Sequence, residues 1–176
     1  LDGQTNNGAG DVFISKFDQD GTKVWTKLLG TTSSEFYGNI TTGLDGAIYI
    51  AGTTYGDLDG QINNGAGDVF ISKFHQDGTK DWTKLLGTTG WDDGRGLTIG
   101  LDGSIYITGN TTGNLDGQTN NGERDAFISK FSSDGTKVWT RLLGNTSLDI
   151  GMNIATGLDG AIYIIGGTGG NLDGQT

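Results

Sequence analysis

The sequence has no cysteine and no proline, and it contains a single histidine. The absence of cysteine excludes thiol catalysis, disulfide bonds and thiolate metal sites, and it leaves the redox compartment open. One histidine excludes most zinc sites and most Ser–His catalysis. The absence of proline excludes collagen-like and polyproline chains. Glycine, by contrast, occupies 34 of 176 positions and indicates many turns.

Positive charge and long apolar runs are also scarce. The chain has 11 Lys and Arg against 21 Asp and Glu, for a net charge of −10. So few cations exclude nucleic acids and anionic membrane surfaces as partners. The sequence contains neither a membrane-spanning apolar run nor the pattern of a signal peptide. Because the first residue is Leu1, we expect a processed or excerpted piece of a protein.

The most informative feature is an internal repeat. The segment LDGQTNNG at residues 1–8 returns, with one change, at 58–65, returns again at 115–122, and begins once more at 172. Every interval is 57 residues, without insertions. We therefore treat residues 1–176 as a single segment and divide it into repeats 1–57, 58–114 and 115–171, with the start of a fourth at 172–176.

Each repeat has the pattern of four short strands. In the first repeat, β-rich or alternating segments separated by Asp-Gly turns predict strands at residues 11–17, 22–29, 39–44 and 47–52. No segment has helical periodicity. The sequence therefore predicts an all-β fold in which each repeat supplies one four-stranded antiparallel sheet.

Both faces of these strands are apolar, since Phe13 and Phe17 alternate with Val12 and Ile14. Both faces must then be covered. Radial packing of four-stranded sheets in a β-propeller does this, whereas the coils of a β-helix are far shorter. The expected strand order, from the innermost strand outward, is residues 39–44, 47–52, 68–74 and 79–86.

Two segments carry a family resemblance: GLDGAIYIAGTT at residues 43–54 and GAGDVFISKFDQDGTKVWTKLLGTT at residues 8–32. With the acidic residue between such segments, they resemble the bacterial SBBP-type β-propeller repeats, which are abundant in cyanobacteria. The resemblance extends over essentially the whole chain. It implies a propeller fold, a secreted or cell-surface location, and a structural, adhesive or scaffolding role.

Three repeats are too few to close a propeller ring, which needs four to eight blades. The chain begins with the outer half of a blade and ends with an inner half, so it has three blade equivalents. Two chains could complete each other's half-blades in a six-bladed dimer, or the missing blades could belong to a longer chain. The sequence leaves both alternatives open.

The loop that joins two repeats has an acidic spacing. Its oxygen-bearing residues fall at positions 1, 3, 5, 7 and 12, as in a calcium-binding EF-hand loop, but they lack the glycine at position 6 and the glutamate at position 12. Calcium is thus the one cofactor to consider, and the alternative is a set of Asx turns. The candidate ligands are Asp57, Asp59, Gln61, Asn63 and Asp68, and, in the next repeat, Asn114, Asp116, Gln118, Asn120 and Asp125.

A second candidate site lies between the second and third predicted strands, where otherwise similar repeats diverge around one acidic position. A variable loop on a copied scaffold suits partner binding, although drift in an exposed loop is the alternative. A tryptophan face with nearby polar groups could also bind a sugar. The candidate residues are Glu35, Phe36, Tyr37, Trp91, Asp92, Asp93, Arg95 and Asp149.

The leading functional hypothesis is a non-enzymatic structural or interaction module of a secreted or surface-associated bacterial protein, which presents loops to a partner. The alternative is a calcium- or carbohydrate-binding propeller. A third hypothesis is a fragment of a quinone-dependent enzyme, because DGTKVW at residues 20–25 resembles the tryptophan-bearing blade motif of those enzymes. We predict no catalytic residues, since no nucleophile–base set is recognisable.

Overall fold

A computed structural model describes residues 2–175, with Tyr37 described only by its backbone. This part of the chain is built of β-strands, and it contains no helix long and apolar enough to cross a membrane. The strands are β1 (Val12–Phe17), β2 (Lys23–Leu29), β3 (Glu35–Thr42), β4 (Ile48–Thr54), β5 (Asp68–Phe74), β6 (Lys80–Leu86), β7 (Asp92–Ile99), β8 (Ile105–Thr111), β9 (Asp125–Phe131), β10 (Lys137–Leu143), β11 (Asp149–Thr156) and β12 (Ile162–Thr168).

The hairpin between β1 and β2 shows why the chain turns where it does. Gly21 has φ = 83°, a conformation that glycine adopts without strain. Its amide donates to the carbonyl of Asp18 at 3.0 Å. The carboxylate of Asp20 accepts from the amide of Thr22 at 2.9 Å. The Asp-Gly signal therefore determines the position of the turn.

The strands form four antiparallel sheets within the described residues. Two sheets are complete, with the orders β3-β4-β5-β6 and β10-β9-β8-β7. The other two contain only β1 with β2 and β11 with β12. The predicted strand order within a sheet is confirmed, and each complete sheet takes its first two strands from one sequence repeat and its last two from the next.

The core consists of layers between neighbouring sheets. One layer lies between the two complete sheets and includes the buried residues Val69 and Phe127. A second layer lies between the β1–β2 sheet and its complete neighbour and includes Ile14 and Phe70. Both faces of a complete sheet are therefore covered, as the apolar character of both strand faces predicted.

One strand boundary of the first repeat differs from the prediction by more than two residues. The third strand was expected to begin at Asn39. Instead β3 begins at Glu35, which lies opposite Thr54, the last residue of β4. The register shifts between Phe36 and Asn39, so this part of the strand is irregular. A bulge of this kind breaks the period-two pattern, which is why the sequence alone suggested a loop.

Candidate functional site

The acidic position shared by the three repeats is buried at the start of a strand. Glu35, Asp92 and Asp149 are the first residues of β3, β7 and β11, and each is at most 4% exposed. Each carboxylate accepts a hydrogen bond from the backbone amide four residues earlier. The donors are Thr31 at 2.9 Å, Thr88 at 2.6 Å and Asn145 at 2.8 Å. These three candidate residues thus hold the preceding loop in place.

A second buried carboxylate lies beside Asp92. The amide of Asp92 donates to the carbonyl of Gly67 at 2.8 Å, which brings the start of β7 against the start of β5 at Asp68. Burial raises the pKa of both Asp68 and Asp92, and the charge of Asp92 adds to the rise at Asp68. Each keeps one buried oxygen without a hydrogen-bond partner among the described residues. Close, buried carboxylates favour the protonated form.

This burial predicts an unusual pH dependence for Asp92. Between the unfolded pKa near 3.8 and the raised folded value, the folded state binds more protons than the unfolded state. The free energy of unfolding therefore falls as the pH rises through this window, by up to about 1.4 kcal/mol per pH unit for one group. We expect Asp92→Asn to flatten this fall in urea unfolding between pH 4 and 8.

Asp134 is the control for this prediction, because its pKa is shifted in the opposite direction. Hydrogen bonds from Ser132 and Thr136 lower its pKa to about 2. Its contribution to stability is present above pH 3.8 and is lost as the pH falls towards 2. Asp134→Asn should thus change only the acid limb of the curve. If the free energy of unfolding of both variants depends on pH in the same way as that of the unmodified chain, the raised pKa of Asp92 is wrong.

An aromatic cluster lies at the junction between the first two repeats. The rings of Phe36 and Tyr55 meet edge to face with centroids 5.8 Å apart, and Tyr55 meets Trp91 at 5.5 Å. Phe36 and Trp91 are 48% and 45% exposed, so the cluster forms part of the surface. Tyr37, a further candidate, has a side chain that lies outside the described part of the chain.

The next junction carries a group of charged residues instead of an aromatic cluster. Asp93, which replaces Phe36, is 5% exposed and accepts from the guanidinium of Arg124 at 3.2 Å and from the amide of Asn110 at 3.3 Å. Arg95 lies 3.7 Å from the same oxygen. With Asp92 and Asp93 both buried, Trp91 and Arg95 are the members of the proposed sugar site that reach the surface.

The two junctions differ by a coordinated exchange. Gly67 packs under Tyr55, because a Cβ at Gly67 would lie 2.7 Å from the ring. In the next repeat the residue at the position of Gly67 is Arg124, and Tyr55 is replaced by the smaller Thr112. Arg124 and Tyr55 are not among the candidate residues predicted from the sequence. The sequence does contain a signal for them, because two positions of the repeat change together: where Gly67 is replaced by Arg124, Tyr55 is replaced by Thr112.

The candidate calcium ligands have separate partners in the structure. The carboxylate of Asp57 accepts from the amide of Asn63 at 2.9 Å, and the side-chain amide of Asn63 donates to the carbonyl of Thr54 at 3.0 Å. Asp68 accepts from the amide of Asn64 at 3.0 Å. Gln61 closes a small bridge to Leu58 through its backbone. The second set repeats the contacts of the aspartate and asparagine side chains at Asn114, Asn120 and Asp125, and the amide of Gln118 donates to the carbonyl of Leu115 at 2.9 Å.

Asp59, at the third position of this loop, is ion-paired to Lys80 and also accepts from the hydroxyl of Thr83. Asp116 has the same pair of contacts, with Lys137 and Thr140. The described residues contain no group of three or more His, Cys, Asp or Glu side chains placed to hold a metal. A calcium ion at Asp59 would have to displace Lys80. Calcium binding remains a prediction.

These features define an all-β repeat protein whose four-stranded antiparallel sheets pack face to face. Residues 81–116 match the family model described as the SBBP beta-propeller repeat. The resemblance inferred from the sequence is thereby confirmed over this segment, which runs from β6 to the loop after β8. The match suggests a repeat module without catalytic function.

The chain is also similar to the regulatory protein FlaEY of Caulobacter vibrioides, with 26% identity over 181 residues. This similarity covers 94% of the chain but only 19% of FlaEY. The chain therefore spans about a fifth of the length of this relative.

Proposed function

We propose that the chain is a non-enzymatic structural and interaction module of the β-propeller type, with three blade equivalents and a binding surface at the junction of its first two repeats. The SBBP match and a relative named as a regulatory protein support a non-catalytic role in contacts between proteins. The resemblance to secreted SBBP proteins supports a location outside the cell or at its surface.

The observation that carries this proposal is the aromatic cluster of Phe36, Tyr55 and Trp91. It occurs at one junction only, on a scaffold that is otherwise copied from repeat to repeat. Exposed aromatic side chains supply much of the energy of protein interfaces, because they bury a large area at a small entropic cost. The cluster therefore suits an apolar or aromatic anchor on a protein partner.

Carbohydrate binding is the second candidate function, and the exposed ring of Trp91 favours it. Sugars stack on tryptophan faces, but they also need polar groups for their hydroxyls. Asp92 and Asp93 are buried and already accept hydrogen bonds, so these polar groups would have to come from other side chains. The chemistry of the cluster thus favours a protein partner over a sugar.

Selection of a displayed library of random peptides on the purified chain tests the proposal. We expect enriched peptides with aromatic or aliphatic anchors that lose at least about 10-fold in affinity towards Trp91→Ala, since truncating a hot-spot residue of an interface costs about 2 kcal/mol or more. Leu101→Ala, which truncates an exposed apolar side chain elsewhere, is the control and should leave binding unchanged.

A glycan array probed with the unmodified chain, Trp91→Ala and Leu101→Ala separates the two candidate functions. Glycan binding that depends on Trp91, without peptide binding, would favour the carbohydrate hypothesis. If peptides bind equally well to all three proteins, the cluster is not the binding surface.

A further inference from the structure

An exposed leucine recurs in the turns that join β3 to β4, β7 to β8 and β11 to β12. Leu44, Leu101 and Leu158 each occupy the second position of a Gly-Leu-Asp-Gly sequence, and they are 73%, 58% and 94% exposed. Leu101 is the most informative of the three, because β7 contacts both β3 and β11 in the neighbouring sheets. Its exposure therefore does not depend on where the sequence begins or ends.

Six hairpin turns share one geometry, and only three of them carry leucine. In each turn the fourth residue is a glycine with φ between 76° and 83°, and its amide donates to the carbonyl of the first residue. In the turns after β1, β5 and β9, the second residue is Gln19, Gln76 or Ser133. The turn thus accepts a polar residue at this position, so the leucine is not needed to form it.

These six turns lie at the same end of the antiparallel strands, and we call the surface that they form the turn face. It consists of residues 18–21, 43–46, 75–78, 100–103, 132–135 and 157–160. The aromatic cluster lies at the other end of the strands, since Phe36 is at the start of β3 and the turn with Leu44 follows the last residue of that strand. The two surfaces are therefore separate.

Leu44 and Leu101 line one groove in the turn face. The groove measures ≈ 320 Å³, and its lining also includes Tyr49, Ile99 and Ser133. It thus lies where the turns of the two complete sheets meet. An aliphatic side chain that enters this groove would remove apolar surface of both leucines from water, which favours binding.

The turn face is acidic. Its turns contain seven aspartates and no lysine or arginine. The aspartates are Asp18, Asp20, Asp45, Asp77, Asp102, Asp134 and Asp159. Asp45 is paired with Lys73 at 3.3 Å and Asp102 with Lys130 at 3.1 Å. Among the described residues, the other five aspartates have no ion pair.

The local geometry keeps most of these carboxylates ionised. Hydrogen bonds from residues two positions away in the chain lower the pKa of five of the seven, and the pKa values of Asp102 and Asp134 fall to about 2. Charged hydrogen-bond acceptors at a surface favour a partner that supplies cations. The groove and the aspartates together therefore suit a partner that is both aliphatic and basic.

Other occupants fit this surface less well. A second copy of the chain would bring a net charge of −10 to an acidic face, and an anionic membrane would be repelled for the same reason. Further sheets of the same kind pack against the faces of the existing sheets, as the core layers show, and not against the ends of the strands. The turn face would stay open in such an array.

We propose that the turn face binds a basic segment of a protein partner, with an aliphatic side chain in the groove between Leu44 and Leu101 and lysine or arginine side chains beside the aspartates. This inference goes beyond the function proposed above, because it adds a second interaction surface at the opposite end of the sheets.

Fluorescence anisotropy with the labelled peptide KLKKLK, in which K is lysine and L is leucine, measures the binding. We expect saturable binding that weakens as the salt concentration rises from about 50 to about 500 mM, since salt screens exposed charges. ELEELE, in which glutamate replaces lysine, and KSKKSK, in which serine replaces leucine, should bind at least about 10-fold more weakly. Equal binding of either control peptide would overturn the proposal.

Leu44→Gln combined with Leu101→Gln tests the groove. Glutamine occupies the same turn position at Gln19 and Gln76, so the fold should be retained, which circular dichroism checks. The affinity for KLKKLK should fall at least about 10-fold. Ile62→Gln makes the same change in the loop between β4 and β5, at a site of 71% exposure, and should leave the affinity unchanged. Equal affinities for the two variants would contradict the proposal.

Asp134→Asn tests the charged part of the surface, because Asp134 follows Ser133 in the lining of the groove. We expect the affinity for KLKKLK to fall by about 2- to 5-fold at low salt, as is typical of one exposed ion pair. Asp57→Asn is the control at the other end of the strands, where the next repeat has Asn114. If both variants lose the same affinity, the effect belongs to the net charge and not to the turn face.

The remaining outcomes would assign the turn face to a different occupant. A dimer of the unmodified chain that is lost in the double leucine variant would indicate a second copy. Binding to phosphatidylcholine vesicles that depends on the leucines, without binding of KLKKLK, would indicate a membrane. Absence of peptide binding at about 1 mM would also overturn the proposal.

The test is independent of the one for the aromatic cluster. Trp91→Ala should bind KLKKLK as tightly as the unmodified chain does, whereas peptides bound by the aromatic cluster should lose affinity towards Trp91→Ala and keep it towards Leu101→Ala. Failure of one proposal thus leaves the other intact.

Discussion

Replacing Phe127 by alanine is expected to lower the free energy of unfolding by about 3–5 kcal/mol. The ring is 0% exposed and packs in the layer between the two complete sheets, together with Val69, Leu86 and Leu115. Its removal loses the transfer free energy of the ring and leaves a cavity that rigid strands on both sides cannot fill. Urea unfolding followed by circular dichroism measures the loss.

Leu101→Ala is the matched control for this prediction. Leu101 is an apolar residue in the turn between β7 and β8 and is 58% exposed. We expect a change of no more than about 0.5 kcal/mol. If the two substitutions destabilise the chain equally, the layer between the sheets does not hold the structure together.

Gly109→Ala is expected to cost about 3 kcal/mol or more, or to prevent folding. An added Cβ would lie 1.7 Å from the carbonyl oxygen of Asp93 on the neighbouring strand and 3.0 Å from the ring of Phe127. The first contact is with backbone, so relief requires β7 and β8 to separate, in addition to the usual cost of overpacking. The same urea titration, with a fluorescence readout, measures the effect.

Gly167→Ala provides the control. It adds the same methyl group in β12, the counterpart of β8, one position after the glycine that corresponds to Gly109. The methyl would meet no atom within 4 Å, and the residues at the corresponding positions are Thr53 and Asn110. We expect this variant to be as stable as the unmodified chain or up to about 1 kcal/mol more stable. A loss comparable to that of Gly109→Ala would show that glycine is needed for another reason.

The strands were predictable because the signals for them are local. The Asp-Gly turns bound short segments with β-rich residues, and the repeat reproduces them three times. Short connections join neighbouring strands only within the hairpins. The long connection from β4 to β5 also joins neighbours, and the short one from β6 to β7 joins two sheets, so this part of the strand order follows from the predicted propeller architecture and not from the length of the connections. The start of β3 at Glu35 was not predictable, because the bulge before Asn39 interrupts the alternation that identifies a strand.

The candidate site was only partly predictable. The alignment of the repeats predicts the shared acidic position of Glu35, Asp92 and Asp149, but its placement on a loop was wrong, because all three are buried at the start of a strand. Their partners lie four residues earlier, where the sequence shows only common Thr and Asn residues. A hydrogen bond of this kind cannot be distinguished from solvent exposure without the path of the backbone.

The sequence by itself determined the 57-residue repeat, the β-strand content and the need to cover both faces of each sheet, since periodicity and apolar pattern depend on residues close together in the chain. Only the tertiary structure decided which residues of different repeats meet. The pairing of Asp93 with Arg124 and the packing of Tyr55 over Gly67 join positions that are distant in sequence. Such contacts depend on how one sheet is placed on the next, which local patterns do not specify.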